Sequence, residues 1–134
     1  MILGASLVLM ENGEWRRLDS LQPGERVATV DERRAIVSTG VTAKALVSEA
    51  GHCRLRTHQR RHLQCDLDQV FVAVDGPAAL RALSVGDWIL AKFDDGRVGW
   101  DAIEAIEPAP VGLLFSLGVA CHGNVIAEGL LVHV

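Results

Sequence analysis

The side chains with the greatest chemical reach crowd into one stretch, from Cys53 through Arg54, Arg56, His58, Arg60, Arg61 and His62 to Cys65 and Asp68. Cys65 near His62 or Asp68 has the parts of an activated thiol, since a thiolate needs a base and a positive setting. In a strand, positions 62 and 65 point to opposite faces, which separates the pair and favours a buried structural thiol. His58 and His62 have the i, i+4 spacing of helical metal ligands, and Cys53, Cys65, Cys121 and His122 could complete a zinc or iron site. That geometry requires a helix, yet Arg56-Thr57-His58-Gln59-Arg60-Arg61-His62 sits where a hairpin turn is expected. No metal and no cofactor is therefore expected.

Arg54, Arg56, Arg60 and Arg61 could meet phosphates, but the alternation Arg54-Leu55-Arg56-Thr57 describes a strand with one wet face. These arginines are expected to meet acids on a neighbouring strand or a protein partner. A net charge of −4 supplies no basic field for a nucleic acid backbone, so nucleic acid is not the expected partner. Asp94 and Asp95 precede Gly96 and mark a turn rather than a catalytic pair. Trp15, Trp88 and Trp100 read as core or edge cover.

The elements that must hold these groups are announced by a repeat. Leu21-Gln22-Pro23-Gly24-Glu25-Arg26-Val27 returns 62 residues later as Leu83-Ser84-Val85-Gly86-Asp87-Trp88-Ile89, and each copy opens an apolar run. Leucine anchors the turn, glycine supplies a permissive backbone, and the acid caps the exit into a strand. Two related halves of one body follow, because two copies at this spacing do not make a solenoid. At 134 residues and 49% hydrophobic content, residues 1–134 are expected to form a single domain.

Apolar strands are expected over residues 6–10 and 15–18, joined as a hairpin through Asn12-Gly13. Further strands are read at 26–30, 35–37, 41–48, 53–57, 62–65, 70–74, 88–93, 113–119, 124–127 and 130–134, with Val98, Ile103 and Ile106 on intervening strands. Only Asp19–Leu21 and Pro77–Leu83 look helical, and Pro108 with Pro110 punctuates a loop. Short strands separated by turn residues define an all-β fold, a sandwich or a barrel-like body. No run approaches the roughly 20 apolar residues of a spanning helix, and no membrane partner is expected. Three widely spaced cysteines suit a reducing compartment, so a cytoplasmic location is expected.

These residues resemble the Hint fold of inteins and hedgehog autoprocessing domains, over nearly the whole chain. The opening Gly4-Ala5-Ser6-Leu7-Val8, Asn12-Gly13 and Leu21–Val27 is similar to the intein start. Cys65-Asp66-Leu67-Asp68 falls where those proteins carry T-x-x-H, Leu83–Ile89 is similar to the second L-x-x-G-D, and Asn124–Val134 resembles the closing segment that ends V-H-N. The resemblance implies an all-β body with a pseudo-twofold between its halves. It also assigns roles. The first residue, Cys or Ser, attacks the preceding peptide carbonyl; the T-x-x-H histidine hydrogen-bonds that amide and protonates its nitrogen; the last asparagine cyclises to cut the downstream bond.

At the matched positions stand Met1, Cys65, Asp68, His133 and Val134. A thioether has no proton to lose, a carboxylate at neutral pH only accepts hydrogen bonds, and valine has no amide to cyclise. Only His133 remains of the penultimate His-Asn pair. The expectation from these substitutions is a chain that is not an enzyme: a Hint-like body retained for protein binding or assembly, self-associating or part of a larger assembly, with a phage or prophage virion component as one setting. Two rivals stand beside it. One is an autoprocessing domain that cuts its own flanking sequence through His133 and an unrecognised nucleophile such as Cys65 or Ser6; the other is a metal or nucleic-acid module built on the His/Arg hairpin.

Overall fold

In the computed structural model, which describes the backbone of residues 1–134 and the side chains of all but residues 48–51, the repeated segment forms the same turn twice. Leu21 N–H donates to Leu18 O (3.1 Å) and Leu83 N–H to Leu80 O (3.0 Å). Gly24 N–H donates to Val41 O and Gly86 N–H to Ile103 O, both at 2.8 Å. The acids close each turn onto the backbone: Gln22 N–H donates to Glu25 Oε1 (2.9 Å) and Ser84 N–H to Asp87 Oδ2 (2.8 Å). Gly24 and Gly86 adopt φ of +93° and +95°, values that a residue with a Cβ resists.

Twelve strands run through the chain: Ile2–Leu3 (β1), Leu7–Leu9 (β2), Trp15–Arg17 (β3), Arg26–Val30 (β4), Ile36–Thr57 (β5), His62–Cys65 (β6), Val70–Ala73 (β7), Gly76–Ala79 (β8), Trp88–Lys92 (β9), Val98–Val119 (β10), Asn124–Ala127 (β11) and Leu130–His133 (β12). The architecture is all-β with a pseudo-twofold. β4, β5 and β6 recur as β9, β10 and β11 at the spacing of the repeated turn, and the long strands β5 and β10, 22 residues each, pair with one another antiparallel. Their register is self-complementary, since Ile103 faces Thr57 at one end and Val119 faces Val41 at the other.

The helical expectations are corrected. Residues 19–21 contribute only to a single 3-10 turn, Leu18–Ser20. Pro77–Leu83 begins instead as β8, paired with β7, and then makes the matching 3-10 turn Leu80–Ala82. Pro77 is the second residue of β8, an outer strand paired only with β7, and such edges tolerate proline. The separate strands expected at 35–37, 41–48 and 53–57 fuse into β5, and those around Ile103, Ile106 and 113–119 fuse into β10. Pro108 and Pro110 therefore lie within a strand. Between Ile103 and Leu113 the recorded pairings give β10 no neighbour but β5, so each proline can turn its nitrogen outward, and the register shifts between Ala109 and Gly112.

Alternating apolar residues of both halves fill the centre. Val8, Leu18, Leu21, Val27, Leu55, Leu63, Phe71, Leu80, Ile89 and Ile103 are buried in one cluster, and Ala28, Val30, Leu90, Ile126 and Leu131 in a second. Each large aliphatic or aromatic side chain so buried contributes on the order of 1.5–3 kcal/mol. β1 threads between β10 and β6, with Ile2 facing Phe115 on one side and Cys65 on the other. That placement brings the first residue of the chain against the last strand's end. No helix of the described residues is long and apolar enough to cross a membrane.

Candidate functional site

The two chain ends meet at one buried side chain. Gln69 lies in the turn before β7 and is 4% exposed. Its Oε1 accepts from the amine of Met1 at 2.7 Å, while its Nε2 donates to His133 O at 2.8 Å and to Val70 O at 3.0 Å. The amide orientation is dictated by its partners, because the carbonyl end faces donors and the NH2 end faces carbonyls. Asp66 completes the grip on Met1: its Oδ1 accepts from the amine at 3.4 Å and its N–H donates to Met1 O at 3.2 Å.

Around this bridge lies a cavity of about 330 Å³, walled by Ile2, Leu18, Val70, Phe115 and Leu117 and bearing Met1, Asp68, Gln69, Ser116, His133 and Val134. Met1, Asp68, His133 and Val134 thus come together. Cys65 does not line the cavity. It is fully buried on β6, facing Ile2 on one side and Cys53 on the other, and burial pushes its thiol up to about 12. A thiol so held carries almost no thiolate near neutral pH, and so is not the missing nucleophile. Ser6, buried beside the opposite end of β1, is not in the cavity either.

The structure shifts the T-x-x-H match by one residue. Asp68 turns outward and accepts two bonds from the Arg81 guanidinium, the longer from Nε at 3.1 Å. The group on the Met1 nitrogen is Gln69, and Asp66 stands three residues before it, so Asp66-Leu67-Asp68-Gln69 occupies the place assigned to Cys65–Asp68. A carboxamide there accepts a hydrogen bond from the nitrogen but has no proton of its own to give up at neutral pH. Sequence reasoning missed Gln69 and Ser116. Gln69 carried one faint signal, a polar residue at the mouth of the apolar run Val70-Phe71-Val72, and Ser116 carried none.

The His/Arg segment is the hairpin between β5 and β6, so His58 and His62 do not share a helix face. Among the described residues no three His, Cys, Asp or Glu side chains gather as a metal site. The arginines meet acids: Arg56 pairs with Glu104 on β10 (3.5 Å), and Arg61 reaches the buried Asp101 (3.4 Å) and donates to Lys92 O (2.5 Å). Trp15, Trp88 and Trp100 stay exposed at 41%, 51% and 36%, which removes core and leaves edge cover from the two readings of these rings.

No protein-family model and no curated protein matches the chain. Solved structures do. A DnaB intein from Synechocystis sp. superposes with a TM-score of 0.91 at 23% identity, covering 98% of this chain and 96% of its own. The DnaX mini intein from Spirulina platensis gives 0.81 at 22%, covering 98% of each, and the gp41-1 intein gives 0.81 at 15%, covering 98% and 96%. The chain has the Hint fold. These matches overturn the expectation that the chain is not an enzyme, since the structures sharing its fold almost end to end are self-splicing autoprocessing domains.

Proposed function

We propose that the chain is an autoprocessing domain that cleaves its own flanking sequence at the cavity where its ends converge. The observation that carries this reading is the single Gln69 side chain that holds the Met1 nitrogen and the His133 carbonyl at once. Any polypeptide joined before Met1 or after Val134 enters the same space, which converts an encounter between the two flanks into an intramolecular one. Gln69 orients the upstream nitrogen, Asp66 lies 3.4 Å away to stabilise the ammonium that forms when the bond breaks, and the His133 imidazole is the cavity's proton carrier. Met1 offers no nucleophile and Val134 no amide, so the attack comes from another group.

The test is a precursor with a folded reporter fused to each end, followed by intact mass and gel mobility over a long incubation. The expected result is release of at least one reporter, slowed about 100-fold or more by His133→Ala and less by Gln69→Ala. A precursor that keeps both reporters indefinitely, while folded by circular dichroism, would defeat the reading.

A further inference from the structure

We infer that Ser116 is the nucleophile that attacks the peptide bond upstream of Met1, an inference that rests on the autoprocessing reading and supplies the group that Met1 lacks. The strand register places it. β1 and β10 pair with Ile2 opposite Phe115 and Leu3 opposite Leu114, so the next rung sets Met1 opposite Ser116. Gly4 N–H donates to Leu113 O at 3.0 Å. Hydrogen-bonded rungs therefore fall at Gly4–Leu113 and Ile2–Phe115, and the Met1–Ser116 rung is of the non-hydrogen-bonded kind. In such rungs the facing side chains lie on one side of the sheet and approach closest, with Cα atoms about 4.5 Å apart.

Met1 thus sits between two strands with distinct jobs. Toward β6 its nitrogen and carbonyl engage Gln69 and Asp66. Toward β10 the register sets it opposite Ser116, an exposed residue of the cavity that His133 also lines. Among the described residues that line the cavity, Ser116 is the only one with a hydroxyl or thiol. Cys65 and Ser6 are buried elsewhere, as described above.

The step balances with groups present in the cavity. Ser116 Oγ attacks the carbonyl carbon of the residue before Met1 while the His133 imidazole takes the hydroxyl proton. The carbon–nitrogen bond breaks, the proton passes to the Met1 nitrogen, and the acyl group is left as an ester on Ser116. Met1 leaves as an amine that takes a further proton from solvent, and Gln69 Oε1 and Asp66 Oδ1, at 2.7 and 3.4 Å from this nitrogen, are placed to hold the ammonium so formed. The ester then passes to water, releasing the upstream segment as a carboxylic acid and restoring the hydroxyl.

The doubly fused precursor decides this with two variants. Ser116→Ala is expected to slow release of the upstream reporter by about 100-fold or more and to leave any downstream release unchanged; Ser116→Cys is expected to restore upstream release through a thioester that dithiothreitol cleaves. Hydroxylamine should trap the unaltered protein's upstream reporter as a hydroxamate. Upstream release at an undiminished rate in Ser116→Ala, or downstream release alone from the unaltered precursor, overturns the assignment to Ser116 and leaves autoprocessing standing. No release from either end overturns both.

Discussion

The two halves of the chain share a backbone and divide the chemistry between them. Ala120 N–H donates to Gly40 O as His58 N–H does to Ala102 O, each at 2.9 Å. Next to these, Cys121 N–H donates to Thr39 Oγ1 (2.9 Å) and Gln59 N–H to Asp101 Oδ1 (3.1 Å). Thr39 and Asp101 stand at corresponding places in the repeat, yet one is a neutral hydroxyl and the other a buried carboxylate. Asp101 also accepts from Thr57 Oγ1 at 2.6 Å and faces the Arg61 guanidinium. A shared hydrogen-bonding scheme thus constrains where an acceptor must be and leaves its charge free. The cavity follows the same logic in extreme form: Gln69 and Ser116 correspond to Leu7 and Arg54 in the repeat, so the groups that could act are those the symmetry does not reproduce.

The comparison breaks most sharply at the buried acceptors. Asp101→Ala strands Arg61, whose side chain is only 11% exposed, and is expected to cost about 3 kcal/mol or more. Thr39→Val removes one neutral acceptor and is expected to cost about 1 kcal/mol. Urea midpoints measure both, and equal losses would mean that the halves do not differ in this way. Gly24→Ala and Gly86→Ala are expected to be alike, each destabilising by roughly 1–2 kcal/mol through positive φ, because a Cβ at either position meets nothing within 4 Å. A clear inequality between them would show that one turn is strained by its surroundings.

Smaller differences lie in the capping acids. Glu25 accepts from Gln22 N–H as Asp87 accepts from Ser84 N–H, but it is also bonded to Arg16, which holds its carboxyl below the ordinary value. With the folded-state pKa lowered, this stabilisation is complete above the ordinary value of 4.5 and is lost as pH falls through the folded-state value. Glu25→Gln is therefore expected to blunt the acid limb of a pH-stability curve by less than about 1 kcal/mol, an effect that high salt erases. The smallest signal is chemical. At pH 8 a soluble alkylating reagent should label exposed Cys121 and spare Cys65 until the protein unfolds. The raised thiol pKa stabilises the fold below about 9 and stops doing so as pH climbs toward about 12.

Much of the fold could be read from the chain because its instructions are local. Asn12-Gly13 makes the β2–β3 turn, with Gly13 at φ +88°, and the doubled L-x-x-G-acid segment announces two like halves before any contact is known. Fusion into two long strands was not legible, since prolines at 108 and 110 break most strands and are tolerated here only where β10 lacks a second neighbour. Of the residues singled out, Met1, Asp68, His133 and Val134 line one cavity and Cys65 does not, while Gln69 and Ser116 were not foreseen. Asp68 and Gln69 are adjacent polar residues before the same strand, and nothing in their types says which turns inward.

By itself, the sequence determined the all-β class, the repeat, the turn chemistry, and that the side chains of Met1 and Val134 offer neither a nucleophile nor an amide. Those follow from backbone preference and side-chain valence, which need no neighbours. Only the tertiary structure decided that Gln69 joins the two ends, that Cys65 is sealed away, and that Ser116 faces Met1. Register between strands far apart in sequence, as β1 and β10 are, is set by how the core packs, and a shift of one residue would turn Ser116 away from Met1.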